Sequence, residues 1–108
     1  MQQFDVNGVN FGGGELSFLL GPCVVQDLKH AMFMAREIRD ICAEVGVGFI
    51  YKSSFDKANR SSIDSFRGGG LEFGLDVLAQ VKEELGVAII TDVHEPWQVE
   101  PTAAVADI

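Results

Sequence analysis

The sequence predicts an α/β fold in which short parallel strands alternate with amphipathic helices. Apolar residues recur at spacings of three and four through two long segments, which is the period of a helix packed on one face. Short apolar runs that end in polar residues flank these segments, as expected for buried strands. Residues 46–52 and 86–92 also share one pattern of glycine and apolar positions. Such alternation implies parallel strands joined by right-handed helical crossovers.

Residues 1–14 predict a small β-hairpin and a joint, ahead of an α/β unit at 15–108. Asn7-Gly8 lies between two short arms that contain apolar residues, and this dipeptide favours the positive φ angles of a two-residue hairpin turn. Three consecutive glycines at 12–14 then predict a flexible joint.

The first strand and helix follow directly. Residues 16–20 form an apolar run that Gly21-Pro22 ends, so we predict a buried strand there. Asp27 is a suitable N-cap and Gly46 a suitable C-cap for the helix between them. The predicted apolar stripe of this helix consists of Leu28, Ala31, Met32, Ala35, Ile38, Ile41, Cys42 and Val45.

The later elements repeat this order. We predict a strand at 47–51, a long loop at 53–70, a helix at 71–85, a strand at 87–91 and a short helix at 97–103. The apolar run 105–108 predicts the start of a fourth strand. An eight-stranded (β/α) barrel needs roughly 250 residues. We therefore expect a piece of a barrel with three to four β/α units, truncated at its fourth strand, and keep a complete four-stranded doubly wound sheet as the alternative.

Composition and charge exclude several classes of protein. The chain is 47% hydrophobic and 22% charged, which is typical of a globular domain. We expect no membrane span, because no apolar run is long enough, and no secretory signal at the N-terminus. The two cysteines make no disulfide framework, which predicts a cytoplasmic protein. A net charge of −8 argues against nucleic acid or an anionic membrane as the main partner.

Positive charge is nevertheless concentrated in one place. Residues 52–67 carry a net charge of +2, and the rest of the chain carries −10. A basic island in an acidic protein indicates a site for a small anionic ligand, although chance clustering on a solvated loop explains the charges equally well. The four cations are Lys52, Lys57, Arg60 and Arg67.

Polar residues follow each predicted strand, where α/β folds bind their ligands. Lys52 ends the second strand and, with Lys57 and Arg60, could bind phosphate or carboxylate oxygens. Cys23 follows the first strand and could be a metal ligand or nucleophile, or simply a small packed residue. Asp92 and His94, after the third, could orient a sugar hydroxyl or transfer a proton, and pairing with nearby cations explains the acid as well.

The residues around this island resemble a known family of enzymes. The run Lys52-Ser-Ser-Phe-Asp-Lys-Ala-Asn-Arg-Ser-Ser-Ile63, with Ser65-Phe-Arg-Gly68 and Gly70-Leu71-Glu72, resembles the signature loop of the KDO-8-phosphate synthases, also called 2-dehydro-3-deoxyphosphooctonate aldolases. Thr91-Asp-Val-His-Glu-Pro96 is similar to the third strand end of that family. Gly21-Pro-Cys23 resembles the first strand end of its metal-using branch and of the related DAHP synthases.

The resemblance implies a (β/α)₈ TIM barrel with an N-terminal hairpin across its bottom, usually assembled as a tetramer. It implies the condensation of phosphoenolpyruvate with arabinose 5-phosphate, with release of inorganic phosphate, for lipopolysaccharide biosynthesis. A DAHP-type synthase with an erythrose 4-phosphate acceptor is the alternative, which Asn59-Arg60-Ser61 disfavours. A non-catalytic sugar-phosphate-binding module is a third hypothesis.

Residue roles follow from the same resemblance. Lys52, Ser54 and Lys57 would hold phosphoenolpyruvate. Asn59, Arg60 and Ser61 would bind arabinose 5-phosphate, with Arg60 and Ser61 reaching the phosphate in a neighbouring subunit. Lys57, Asp92 and His94 would be catalytic, and Asp92 would contact the sugar. Cys23 would ligate a divalent metal ion, because the metal-independent branch has asparagine there.

Three departures from the family pattern stand out. Gln26-Asp27 replaces the Glu-Ser that often follows the cysteine segment, and Asp64 replaces a histidine. The remaining metal ligands and much of the phosphoenolpyruvate site would lie beyond residue 108. We therefore expect the isolated chain to be inactive. We also expect it to be poorly stable, because its parallel sheet would have open edges.

Overall fold

The computed structural model describes residues 2–57 and 67–108. It contains a three-stranded parallel sheet with the order β3-β4-β5 and a separate antiparallel hairpin. The prediction of an α/β fold with parallel strands is confirmed. In chain order the elements are β1 Phe4–Val6, β2 Val9–Phe11, β3 Phe18–Leu20, α1 Leu28–Val45, β4 Phe49–Lys52, α2 Leu71–Leu85, β5 Ile89–Ile90, a 3₁₀ turn Pro96–Gln98 and α3 Val99–Ala103.

The core lies between the sheet and the two long helices. The central strand β4 contributes the fully buried Tyr51 to this core, where it lies in one cluster with α2 residues Leu75, Leu78 and Val81. Its neighbour Ile50 is also fully buried, and because side chains alternate along a strand it points to the other face of the sheet. These α2 residues share one face of the helix predicted at 71–85, since a parallel sheet flanked by crossover helices must bury one face of each helix. Cys42 is buried on α1, as predicted.

The predicted apolar stripe of α1 is only partly correct. Its buried residues are Ala31, Met32, Ala35 and Cys42. Leu28, Ile41 and Val45 belonged to the predicted stripe but are 37%, 57% and 68% exposed. Spacing alone could not separate them, because the period of a helix shows which residues share a face but not which of them a neighbouring element covers.

The start of α1 is set by Asp27. Its carboxylate accepts a hydrogen bond from the His30 backbone N–H at 2.7 Å, and its backbone is extended, as an N-cap requires. Serine and aspartate are both good N-caps. The departure from serine at this position therefore preserves the local structure.

Removal of this cap should destabilise the protein. We expect Asp27→Ala to lower the free energy of unfolding by about 1 kcal/mol, because the His30 N–H loses its partner. Asp27→Ser should retain most of the stability. Urea unfolding of the full-length polypeptide that carries this chain checks both variants, and equal midpoints for wild type and Asp27→Ala would contradict the capping role.

The strands are shorter than predicted. Leu16, placed in the first strand by its apolar neighbours, is 84% exposed and precedes β3. The run 105–108, predicted as the start of a fourth strand, begins as a turn, and its last residue also accepts the Thr91 N–H beside β5 at 3.4 Å. Val105 and Ala106 donate backbone hydrogen bonds to Thr102 and so complete the last turn of α3. Only Asp107 and Ile108 reach β5, donating to the Ile89 carbonyl at 2.8 and 3.2 Å.

The hairpin packs against the amino-terminal ends of the strands. Asn7 donates a side-chain hydrogen bond to the Gly86 carbonyl just before β5, at 3.0 Å. Val9 lies so close to Gly48, just before β4, that an added Cβ would meet its Cγ2 at 3.0 Å. The predicted Asn7-Gly8 turn is present, with φ angles of 50° and 82°.

A charged pair closes the same edge of the sheet. Asp107 accepts hydrogen bonds from the Ile89 N–H at 2.8 Å and from the Lys82 ammonium at 3.0 Å. Burial by itself raises the pKa of Asp107, but these two donors and the lysine charge together hold that pKa below its ordinary value of 3.8.

This pKa predicts an acid-dependent contribution to stability. Because the folded state favours the ionised form, Asp107 stabilises the protein above pH 3.8, and the contribution disappears as pH falls through the lowered pKa. Asp107→Asn should therefore be less stable than wild type at pH 7, and the two should converge at lower pH. Unfolding free energies of the full-length polypeptide across this range measure the effect, and a pH-independent difference would refute it.

None of the helices within the described ranges is long and apolar enough to cross a membrane.

Candidate functional site

The carboxyl ends of the three parallel strands form one edge of the sheet, and the predicted site residues lie along it. Cys23 follows β3, Lys52 is the last residue of β4, and Asp92 comes two residues after β5. Because the strands are parallel, these positions are neighbours in space although far apart in sequence.

Hydrogen bonds tie these strand ends together. The Ser53 hydroxyl donates to the Pro22 carbonyl at 2.8 Å, and the Thr91 hydroxyl donates to the Ser53 carbonyl at 2.8 Å. Ser53 is fully buried, so both of its bonds are made away from water. The three strand ends therefore form a single braced edge.

Gly21 allows β3 and β4 to approach closely at this edge. A methyl group on Gly21 would overlap the Lys52 carbonyl oxygen. The obstacle is backbone, which cannot rotate away as a side chain can. Glycine is therefore required here by close approach of the two chains.

Cys23 is held by its backbone while its side chain stays accessible. Its carbonyl accepts the Ser54 N–H at 3.3 Å, and the Val25 N–H returns to the Ser54 carbonyl at 2.9 Å. Cys23 is exposed, whereas burial raises the pKa of the Cys42 thiol. Of the two thiols, only Cys23 is placed where a ligand or metal ion can reach it.

The Ser54 hydroxyl and one Asp92 carboxylate oxygen have unused hydrogen-bonding capacity. Ser54 is fully buried, and both Ser54 Oγ and Asp92 Oδ1 lack a partner among the described residues. Buried polar atoms without a partner are costly unless a ligand or water completes them. Both atoms lie on the braced edge, which supports a polar ligand there.

Two lysines belong to the stretch of chain that leaves β4 at this edge. Lys52 ends β4 and is half-buried, and Lys57 is half-buried at the start of the following segment. The Lys57 N–H donates to the Arg67 carbonyl at 2.7 Å. The predicted ligands Asn59, Arg60 and Ser61, like Asp64, lie outside the described residues.

The Asp92 carboxylate and the His94 imidazole lie close to one another after β5. His94 Nε2 lies 3.6 Å from Asp92 Oδ2 and 2.7 Å from the Asp56 carbonyl oxygen. A carbonyl only accepts hydrogen bonds, so Nε2 carries the proton and donates. The Phe55 ring packs edge-on against the imidazole, with centroids 6.0 Å apart.

Gln98 fixes the turn that carries His94. Its side-chain oxygen accepts the backbone N–H of His94 at 2.8 Å and of Glu95 at 3.1 Å. Gln98 is 7% exposed, and it forms a capping box with Glu95. This role of Gln98 was not predicted from the sequence, because a capping box usually begins with Ser, Thr, Asp or Asn and this one begins with Glu95.

Asp56 and Arg67 were also missed as a pair. The Arg67 guanidinium donates to both Asp56 oxygens, at 3.0 and 2.8 Å. The signal was available, since Asp56 is one of only two acids among the four cations of the island. The sequence could not show that Arg67 is the partner of Asp56, because the two residues are eleven positions apart and meet only in the folded chain.

The described residues supply few of the donors that the predicted metal site requires. No group of three or more His, Cys, Asp or Glu side chains suited to a metal ion occurs in the described part of the chain. The accessible Cys23 thiol is one suitable donor. The described residues therefore do not form a metal site by themselves.

The chain is similar to known proteins along most of its length. The model of the DAHP synthetase I family matches residues 2–108. Proteins named 2-dehydro-3-deoxyphosphooctonate aldolase are similar along most of the chain. The one from Azoarcus sp. (strain BH72) is 52% identical over 94% of this chain and 37% of its own length. The one from Cupriavidus necator is 54% identical over 83% and 31%, respectively.

A third relative of the same name, from Citrifermentans bemidjiense, is 44% identical over 99% of this chain and 40% of its own length. The chain thus spans between 31% and 40% of the length of these three curated relatives.

Proposed function

This chain belongs to the DAHP synthetase I family, and on that premise we propose that its full-length polypeptide condenses phosphoenolpyruvate with arabinose 5-phosphate. The observation that carries the proposal is the 44–54% identity to relatives named 2-dehydro-3-deoxyphosphooctonate aldolase. The products are 3-deoxy-D-manno-octulosonate 8-phosphate, for lipopolysaccharide synthesis, and inorganic phosphate. The full-length polypeptide is the enzyme in this proposal.

The reaction forms one carbon–carbon bond and, from water, one carbon–oxygen bond at C2, and it breaks the carbon–oxygen bond between C2 and the phosphate. The protons released from the water go to the aldehyde oxygen and to the departing phosphate. The enol C3 of phosphoenolpyruvate attacks the aldehyde carbon, and water adds at C2. The phosphate group leaves with the oxygen that bound it to C2, and the aldehyde oxygen becomes a hydroxyl by taking a proton. The protein must therefore hold two anionic substrates face to face and supply a proton near the aldehyde.

The strand-end residues match these needs. Lys52 and Lys57 bring positive charge to the edge where Ser54 Oγ lacks a partner among the described residues. We assign phosphoenolpyruvate to these three residues, since ammonium and hydroxyl groups bind phosphate and carboxylate oxygens. Asp92 and His94, 3.6 Å apart, would contact the sugar and exchange its proton.

The acceptor end of the site is assigned by resemblance. Asn59, Arg60 and Ser61 would bind the sugar phosphate, with Arg60 and Ser61 serving a neighbouring subunit. This supports a homo-oligomer, which we propose to be a tetramer. We also propose that the parallel sheet continues into a (β/α)₈ barrel with the hairpin across its bottom. Two free cysteines support a cytoplasmic location.

A divalent metal ion is a further proposal, with Cys23 as one thiolate ligand. Its other ligands would come from residues outside the described chain, since the described residues supply no three-donor group. We expect chelator treatment of the full-length polypeptide to abolish activity and added divalent metal to restore it. Cys23→Ser should lower the bound metal content measured by elemental analysis. Full activity with a metal-free preparation would overturn this assignment.

The acceptor decides between the proposed function and its nearest alternative. The family description favours a DAHP-type synthase as that alternative, which would use erythrose 4-phosphate. We expect arabinose 5-phosphate to be preferred when both acceptors compete for one pool of phosphoenolpyruvate, with the products separated by mass. Preference for erythrose 4-phosphate would establish the alternative. Binding of sugar phosphate without release of inorganic phosphate would establish a non-catalytic module.

A further inference from the structure

Three contacts join the residues on either side of the segment 58–66. The Lys57 N–H donates to the Arg67 carbonyl at 2.7 Å. The Arg67 Nε and Nη2 atoms donate to the two Asp56 oxygens at 3.0 and 2.8 Å. Two residues before the segment are thus fixed to the one residue after it.

The returning chain is seated tightly against the departing one. Gly68 has a φ of 121°, and an added methyl group would overlap the Phe55 carbonyl oxygen. Glycine alone adopts this positive φ angle without strain and also leaves room for the Phe55 carbonyl oxygen. Residues 67 and 68 therefore have little freedom to slide along residues 55–57.

Asp56 is also anchored to the third strand end. Its carbonyl accepts the His94 Nε2–H at 2.7 Å, and His94 is itself held by Gln98 through its backbone N–H. Asp56 therefore contacts the returning chain through its side chain and the strand-end turn through its backbone. The position of its neighbour, Lys57, follows from both.

Stability alone is a poor explanation for the Asp56–Arg67 pair. The Arg67 side chain is 56% exposed and that of Asp56 is 24% exposed, and exposed ion pairs contribute little to the free energy of folding. A guanidinium that donates to both oxygens of a carboxylate does, however, fix their relative orientation. The geometry suits a positioning role.

We infer that the Asp56–Arg67 ion pair is a positioning device that places Lys57 at the strand-end edge. We name the pair the clasp. This inference rests on the proposed function, because it assumes that Lys57 binds a substrate. Neither clasp residue needs to touch a substrate, and the effect of each acts through Lys57.

The test compares four variants with wild type in the full-length polypeptide: Asp56→Asn, Arg67→Gln, their double variant and Arg67→Lys. Each single neutral variant should lower kcat/KM at least 10-fold. The double variant should be no worse than the poorer single variant, because the clasp is lost once. The kcat/KM of Arg67→Lys should remain low, since one ammonium group cannot reproduce the two parallel hydrogen bonds of a guanidinium to the Asp56 carboxylate.

A matched control comes from α1. Arg39 and Asp40 also form an ion pair, at 3.1 Å, but they are sequence neighbours and join no separate parts of the chain. Arg39→Gln should leave kcat and both KM values within 2-fold of wild type.

Amide hydrogen exchange gives a readout that needs no enzyme assay. In Asp56→Asn the Lys57 amide, bonded to the Arg67 carbonyl, should exchange at least 10-fold faster. The Tyr51 amide, bonded to Ala88 across the sheet, should be unchanged. If the wild type failed to make the octulosonate, the proposed function would be wrong, but the clasp could still be tested. Hydrogen exchange of the Lys57 amide does not depend on enzyme activity.

Three results would overturn the clasp. Additive losses in the double variant would give the two residues separate roles. Full activity in Arg67→Lys would show that Arg67 acts only as a positive charge. Unchanged exchange of the Lys57 amide in Asp56→Asn would show that the ion pair does not hold that residue in place.

Discussion

Replacement of Lys57 by methionine in the full-length polypeptide should lower kcat/KM by about 10²- to 10³-fold. Methionine keeps the length of the side chain but removes the charge. In the proposed site the ammonium binds phosphoenolpyruvate and lies near the aldehyde, so its loss weakens binding of the substrate and of the transition state alike. Steady-state kinetics should therefore show a higher KM for phosphoenolpyruvate and a lower kcat.

Lys29→Met is the control for this effect. Lys29 is an exposed lysine in the first turn of α1, outside the strand-end edge. The Lys29→Met variant should keep kcat and the KM for phosphoenolpyruvate close to wild type. That result would show that the effect of Lys57→Met does not come from a general loss of positive charge. If Lys57→Met retained kcat/KM within 3-fold of wild type, Lys57 would have no role in substrate binding, and the reading of the basic island would be wrong.

Gly21→Ala should destabilise the protein by about 3 kcal/mol. The added methyl group would overlap the Lys52 carbonyl oxygen, so β3 and β4 would have to move apart. That movement would stretch the Ser53–Pro22 hydrogen bond, now 2.8 Å, and displace Lys52. Urea unfolding of the full-length polypeptide measures the loss of stability, and the same preparation should show reduced activity.

Gly69→Ala separates this close approach from a general effect of replacing glycine. A methyl group on Gly69 would meet only the ring of Phe73, which is 41% exposed and can rotate away. We expect a loss below about 1 kcal/mol there. Equal losses for the two variants would show that backbone contact between β3 and β4 is unimportant.

The sequence predicted the elements of the fold because each depends on local information. The α2 stripe at Leu75, Leu78 and Val81, the Asp27 cap and the Asn7-Gly8 turn are all set by residues within a few positions of one another. Element ends were less predictable. Leu16 and the run 105–108 are apolar, but whether an apolar residue pairs in a sheet depends on which strand lies beside it.

For the candidate site, the sequence predicted the edge of the sheet on which its residues lie. Parallel strands place Cys23, Lys52 and Asp92 on one side, so alternation of strands and helices was enough to group them. The family followed from runs of residues that carry their information in order along the chain.

By itself, then, the sequence determined the α/β class, the Asp27 helix cap and the residue types of the candidate site that we propose for an anionic ligand. Only the tertiary structure decided the partners: Arg67 for Asp56, the Asp56 carbonyl for His94 and the Pro22 carbonyl for Ser53. The physical reason is that a hydrogen bond or ion pair between distant positions depends on distances of a few ångströms, which only the folded backbone sets.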